Sequence, residues 1–193
     1  MPEKVSLLSV RVDNVSSKDA VKKIQKYVKS KSPHYIISLG SLTILLALKN
    51  KKLKKIIKKA NLVLCDSFGV KWGIKYLHGV NISKISGIDL IPVLCSLAVK
   101  NKYKVYFLGG SRKVIERAVN NIKKSYKTLK IAGFSDGYFG IIDENLIKTK
   151  IKKAKPDILI VGMGQPKQEK WIFDNLNELK VPLSIGVGGS FDV

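Results

Sequence analysis

The sequence predicts a Rossmann-like α/β domain, doubly wound, with a mostly parallel sheet, helices on both faces and a small N-terminal β element. Three observations carry that prediction. Short β-branched apolar runs, such as Ile158 to Val161, alternate with amphipathic helical stretches along the whole chain. Glycine-rich turns follow those runs directly, at Gly109-Gly110, Gly137, Gly162 to Gly164 and Gly188-Gly189. The alternation reads as successive βα units, which build parallel sheets through right-handed crossovers.

Taken in order, Val5 to Val10 reads as a strand that residues 11 to 15 either continue or pair back on. Ser16 or Ser17 caps a helix to about Lys31, with Ala20, Val21, Ile24 and Val28 on its buried face. Tyr35 to Leu39 is a strand, followed by an apolar helix over 41–48 and a lysine-rich one. In the second, Leu53, Ile56 and Ile57 make an i, i+3, i+4 stripe. Leu62 to Cys65 is a strand that delivers Asp66; Ser67 to Tyr76 is helical, and Ser86-Gly87 opens another helix. Strands over Lys104–Leu108 and Leu129–Phe134 bracket a helix from Arg112 to Tyr126, and Asp143 to Ala154 is helical. Ile158 to Val161 reads as a strand buried on both faces. The next helix takes Pro166 into its first turn and sets Trp171, Ile172 and Leu176 on one side; Leu183 to Val187 is the last strand. No repeat, linker or low-complexity segment interrupts the pattern, so residues 1–193 form one domain.

Composition excludes several classes. A hydrophobic content of 45% and a mean hydropathy of +0.04 are those of a globular chain. The apolar stretches 41–48 and 88–99 are too short to cross a bilayer, and Met1 to Lys4 leads straight into a strand pattern, so neither a membrane span nor a signal peptide is expected. Cys65 and Cys95 lie in separate apolar runs and read as small core residues of a reducing compartment. The chain carries 36 basic and 14 acidic residues, a net charge of +22, and so attracts anions. Only Arg11, Arg112 and Arg117 are arginines. Bidentate readout of phosphate or guanine favours arginine, so a specific nucleic-acid reader is not expected. The lysines fall on helical faces, either as solvated decoration or as attraction to an anionic membrane, worth about 1 kcal/mol per lysine held close to it.

The residues capable of chemistry collect where strands end: Ser38, Asp66, Gly109-Gly110-Ser111, Gly137-Tyr138, Gly164 to Glu169 and Gly188 to Asp192. In a parallel sheet these positions share one edge, the edge at which open α/β sheets bind ligands. Glycine-rich turns and helix N-termini there offer N–H groups to phosphate oxygens, so the edge suits a nucleotide-like anion. Lys167 stands where a dinucleotide fingerprint needs its third glycine, and no Walker A run is present. Asp-x-Asp and His or Cys clusters are absent too, so neither a cofactor nor a metal is expected. His34 and His78 gain no chemical role.

Five blocks occur in order: Asp66 after an apolar strand, Phe107-Leu108-Gly109-Gly110, Gly137-Tyr138-Phe139, Gly162-Met163-Gly164-Gln165-Pro166-Lys167-Gln168-Glu169-Lys170-Trp171-Ile172, and Gly186-Val187-Gly188-Gly189-Ser190-Phe191-Asp192. Together they resemble the WecG/TagA/CpsF glycosyltransferases (glycosyltransferase family 26), and the Pro-Lys-Gln-Glu block is the most specific part. The resemblance implies an inverting, metal-independent transfer from a UDP-sugar donor to a polyprenyl-diphosphate-linked acceptor. It places the enzyme in the cytoplasm, peripheral at the inner face of the cell membrane, and allows a homo-oligomer. The branch most resembled adds N-acetylmannosamine to undecaprenyl-diphosphate N-acetylglucosamine for teichoic acid.

Carried onto this chain, the resemblance implies that Asp66 is the general base, with the helix N-cap as its structural alternative. It places Gln168 and Ser38 with Asp66 in the catalytic set, Gln168 hydrogen-bonding donor sugar or ribose, and implies that Lys167 offsets charge on the leaving UDP. Glu169 orients them or caps the helix. Tyr138, beside Gly137, stacks on uracil or packs ordinarily; Gly109, Gly110 and Ser111 meet phosphate or sugar. Gly164, Gln165, Gly189 and Asp192 complete the UDP-binding set. Two departures stand out. Ser38-Leu39-Gly40 replaces the usual Thr-x-Asn, and the chain stops at Val193, where members of the family continue through an arginine-rich, membrane-associating segment. A non-catalytic lysine-rich binder of nucleic acid or anionic membrane is the rival from another class.

Overall fold

The computed structural model describes residues 3–192, so Met1, Pro2 and the expected stop at Val193 lie outside the described residues. The chain opens with a hairpin, β1 (Lys4–Leu7) and β2 (Val10–Asp13), paired antiparallel. Of the two arrangements open for residues 5–15 it is the return pairing: Leu8 and Ser9 turn the chain at φ 51° and 62°. Helix α1 (Ser17–Ser30) follows, its N-cap Ser16 accepting from the Asp19 N–H at 3.1 Å. Next come β3 (His34–Leu39), α2 (Ser41–Lys49), α3 (Lys51–Lys59) and β4 (Leu62–Cys65). The expected stripe Leu53, Ile56 and Ile57 is the buried face of α3. The remaining elements are α4 (Phe68–His78), α5 (Gly87–Asn101), β5 (Lys104–Gly109), α6 (Arg112–Ser125), β6 (Lys130–Ser135), α7 (Ile141–Ala154), β7 (Ile158–Gly162), α8 (Lys167–Leu179) and β8 (Leu183–Gly186). Pro166 stands at the N-cap of α8, one position before the expected first turn.

Strands β3 to β8 form one parallel sheet in the order β4-β3-β8-β7-β5-β6. Its two faces are covered by separate apolar layers. The hairpin, α2, α3, α4, α7 and α8 bury Val12, Ile44, Ile56, Val70, Ile151 and Ile172 on one face. On the other, α1, α5 and α6 bury Ile24, Leu94 and Ile115. Steps towards β6 run through α5 and α6, and steps towards β4 run through α2–α3, α7 and α8. Opposite directions on opposite faces give every crossover the same hand. After β5 the chain passes to one layer and after β7 to the other, so a crevice opens between these neighbours at their carboxyl ends. Cys65 and Cys95 are free and buried, one in each layer. Among the described residues no helix is long and apolar enough to cross a membrane.

At the opposite edge of the sheet, α1, α5, α7 and α8 end on Lys31, Lys102, Lys155 and Lys180, each in the left-handed region at φ between 46° and 59°. Glycine is the usual residue there because a Cβ crowds the following carbonyl. Replacing Lys102 by Gly should raise stability by about 0.5–1 kcal/mol, since left-handed strain of roughly 1–2 kcal/mol outweighs the larger chain entropy of glycine. Thermal unfolding checks this, and a melting temperature at or below the parent's would show the strain to be absent.

Candidate active site

All six parallel strands present their carboxyl ends on one rim, and the expected residues lie along it. At the crevice, three strand ends meet backbone to backbone. The Gly110 N–H donates to Gly162 O at 2.9 Å, and the Gly137 N–H donates to Gly110 O at 2.8 Å. A Cβ on Gly109, at φ 145°, would stand 2.1 Å from Gly162 O, so only glycine permits this approach. Gly109, Gly110 and Ser111 are expected to meet phosphate or sugar. In the fold the Gly110 N–H serves a carbonyl, and Ser111 is the N-cap of α6, accepting from the Val114 N–H at 3.4 Å. Tyr138 is 80% exposed beside them, above a cleft of about 170 Å³ that Arg112, Asp136 and Phe139 also line.

The end of β3 gathers the other half of the rim. Gln165 Nε2 donates to Ser38 O at 2.8 Å, and the Asp66 N–H donates to Leu39 O at 3.0 Å. Two adjacent carbonyls thus hold the β7–α8 turn and the β4–α4 turn to the same strand end. Thr43 on α2 donates to Gln165 Oε1. The Gln165–Pro166 peptide is cis, and Gly164 takes φ 74°.

Asp66 is half-buried and is not the N-cap of α4: that role falls to Ser67, whose side chain accepts from the Val70 N–H at 3.3 Å. The Asp66 carboxylate points instead to the start of α5. Burial raises its pKa; the Ser38 hydroxyl, the Gly87 N–H and the Lys84 ammonium act the other way, and Asp89 adds to the rise. The Ser38 hydroxyl is buried and closes no hydrogen bond of good geometry among the described residues, so its effect on Asp66 is that of a nearby dipole. Lys84, 3.7 Å from Asp89 and over the Phe68 ring, escaped the sequence reading because nothing distinguishes it among so many lysines. Gly87 and Asp89 belong to a Ser-Gly-x-Asp turn that was visible as a helix start and not as a neighbour of Asp66.

Gln168 differs most from expectation. Its side chain is fully buried, with Nε2 donating to Glu169 Oε1 at 2.8 Å and Oε1 accepting from the Gly188 N–H at 2.9 Å. Packing over Gly186 rather than facing solvent, it braces the rim and presents no surface to a sugar. Glu169 is buried beside it. Lys167 is exposed, donates to Gly137 O at 2.8 Å and lies 5.2 Å from the centre of the Phe139 ring. Gly189 and Asp192 are exposed in the turn after β8, where the Asp192 N–H donates to Gly189 O at 3.0 Å.

Fold and rim define a doubly wound α/β protein whose half-buried carboxylate and glycine-tight turns share the carboxyl edge of a parallel sheet. Residues 5–193 match the glycosyl transferase WecG/TagA/CpsF family, and the chain belongs to that family. It is 35% identical over 147 residues to an N-acetylglucosaminyldiphosphoundecaprenol N-acetyl-beta-D-mannosaminyltransferase of Bacillus subtilis (strain 168), covering 76% of this chain and 57% of that protein. A protein of the same name from Staphylococcus aureus (strain NCTC 8325 / PS 47) is 31% identical over 192 residues, 98% of this chain and 75% of its own length. The chain thus spans a little over half of the first relative and three-quarters of the second.

Glu169 supplies a test of the site's electrostatics. Burial pushes its carboxyl up to about 7 from an ordinary 4.5. Between those values the unfolded chain releases its proton before the folded one, so stability falls as pH rises, by roughly 3 kcal/mol across the window. Glu169→Gln removes that loss. Its melting temperature should match the parent's near the lower end of the window and exceed it above pH 7, as read by thermal unfolding across pH. A gap that stays constant with pH would refute the buried ionisation.

Proposed function

We propose that this chain is an inverting, metal-independent glycosyltransferase that moves N-acetylmannosamine from a UDP-sugar donor to undecaprenyl-diphosphate-linked N-acetylglucosamine, in teichoic acid or surface polysaccharide synthesis. The observation that carries the reading is Asp66: a carboxylate at the strand ends, half-buried, its pKa raised by desolvation, facing the start of α5. A base must be ionised to accept a proton yet basic enough to take it, and burial moves an aspartate towards that compromise. In the proposed step Asp66 takes the proton of the acceptor's 4-hydroxyl. The freed oxygen pair forms the bond to the anomeric carbon, and the bond to UDP breaks with its pair leaving on the phosphate oxygen. Ser38, Gly87 and Lys84 keep the carboxylate ionised between turnovers.

The donor side follows the same rim. Tyr138 and its cleft are small enough to take a base rather than a whole nucleotide, and Lys167 beside Gly137 brings a cation to the diphosphate. In this reading Gln165 and the Gly189–Asp192 turn border the sugar and ribose.

The acceptor side is apolar. Phe68, Trp72 and Tyr76 on α4 are 72%, 74% and 82% exposed at i, i+4 spacing, directly after Asp66. Leu42, Leu45 and Leu48 on α2 are exposed too, and Ser41 Oγ lies 2.9 Å from Ser67 Oγ, so the two helices start side by side. An acceptor whose lipid stays in the bilayer suits such a surface, with Lys71 and Lys75 between the aromatics for anionic headgroups. That supports a peripheral position on the membrane. The family membership favours transfer over a non-catalytic lysine-rich binder.

Asp66→Asn should lower turnover by about 10²–10⁴-fold while leaving UDP affinity within a factor of about three. Turnover retained within that factor would remove Asp66 from the base role. A salt titration distinguishes the rival: binding to random-sequence DNA that falls steeply with salt, with no competition from UDP, favours a lysine-rich binder.

A further inference from the structure

The pair Gln168–Glu169 forms a relay that the chemistry at Asp66 does not use. Both ends of the Gln168 amide are committed, Nε2 to Glu169 Oε1 and Oε1 to the Gly188 N–H. Its stem is seated over Gly186, where a Cβ would stand 2.6 Å from Nε2. Gly188, at φ 63°, opens the turn that carries Gly189 and Asp192. That turn is otherwise anchored by the Val187 N–H on Val161 O at 2.8 Å and by Phe191 packed on Gly162. Glu169 is 1% exposed, and its Oε2 has no hydrogen-bond partner among the described residues.

We infer that Glu169 is a positioning residue: as a carboxylate it dictates which way the Gln168 amide faces, and through that amide it seats the 188–192 turn on the rim. The inference rests on the transferase reading for its consequence, the binding of UDP, and on geometry alone for the relay. An ionised carboxyl only accepts, so it demands the NH₂ of Gln168 and leaves the amide oxygen for Gly188. A protonated carboxyl also donates. A neutral Glu169 can still accept the NH₂ through its carbonyl oxygen but no longer demands it, and whenever the amide turns over its NH₂ meets the Gly188 N–H, so that two donors face each other.

Burial brings this exchange close to neutral pH. The charged and titratable groups that meet α8 from its neighbours are occupied elsewhere. Lys52 and Lys59 of α3 serve Asp174 and the Phe173 ring, and Glu144, Lys148 and Lys152 of α7 serve Asn175 and Glu178. Tyr35 of β3 donates to Ile56 O, and β7 and β8 contain no titratable residue. Neither these nor Lys167 and Lys170 on α8 itself contribute to the raised pKa of Glu169, which comes from burial and is moderated by Gln168 and the residue's own N–H.

The test measures hydrogen exchange at the Gly188 amide, corrected for the intrinsic pH dependence, and UDP affinity by calorimetry, at about one pH unit either side of 7. In the parent, Gly188 should be better protected relative to the Val187 amide, a reference that cancels the loss of global stability at high pH, and UDP should be bound more tightly on the alkaline side. Glu169→Gln should erase both contrasts while remaining folded. Glu169→Leu, which has no acceptor, should lose about tenfold in Gly188 protection at both pH values, the worth of one hydrogen bond. A pH contrast that survives in Glu169→Gln, or full protection in Glu169→Leu, overturns the relay. A parent that binds no UDP yet shows the Gly188 contrast leaves the relay standing and sinks the transferase reading.

Discussion

Two carbonyl groups at the end of β3 hold the rim together. Ser38 O receives the Gln165 amide and Leu39 O receives the Asp66 N–H, so turns that follow β7 and β4 close on one strand, next to the β4 edge of the sheet. Beyond them the β4–α4 turn, which carries the carboxylate, and the β7–α8 turn, which starts α8, are joined through α2, where Ser41 meets Ser67 and Thr43 donates to Gln165. Their pairing depends in turn on a wholly parallel sheet, because an antiparallel neighbour would send one of the turns to the far edge.

The rim draws its groups from both layers. Asp66 is conditioned by the start of α5, on the face shared with α1 and α6, whereas Gln165, Lys167 and the Gln168–Glu169 pair belong to α8 and its approach on the other face. Between them the strand ends come so close that side chains are excluded. Gly109 against Gly162, and Gly186 beneath Gln168, are positions where any Cβ would collide. The glycines that look like phosphate loops are first of all the spacing that lets three strand ends and one buried amide meet.

How much of this was legible in the sequence depends on the physics involved. Strands such as β4 and β7 and the stripe on α3 are written in periodicity, which burial of one face enforces locally. The Leu8–Ser9 turn was not, because both residues take positive φ without the Asn or Gly that usually signals it. Asp66 and Ser67 are both capping residues in adjacent positions, and only the course of the backbone decides which one caps. The rim itself was legible from glycine and polar residues after successive strands. The inward turn of Gln168 was not, since a polar residue in a helix's first turn ordinarily faces water, and what draws it in is the missing side chain at Gly186, far off in sequence. Lys84 reaches Asp66 through a loop that has no pattern of its own.

The lysines at the left-handed helix ends have a counterpart at the rim. Because the sheet is parallel, the helices that link its strands all run the same way, and their peptide dipoles reinforce one another. The carbonyl-rich ends are already answered by Lys31, Lys102, Lys155 and Lys180. The first turns of α2, α4 and α6 contain no acidic residue to oppose their amino poles. At those three helix starts the amino pole stands unopposed, whereas Asp19, Asp89, Asp143 and Glu169 offset it in α1, α5, α7 and α8, so the pull on an anion is concentrated at particular turns of the rim.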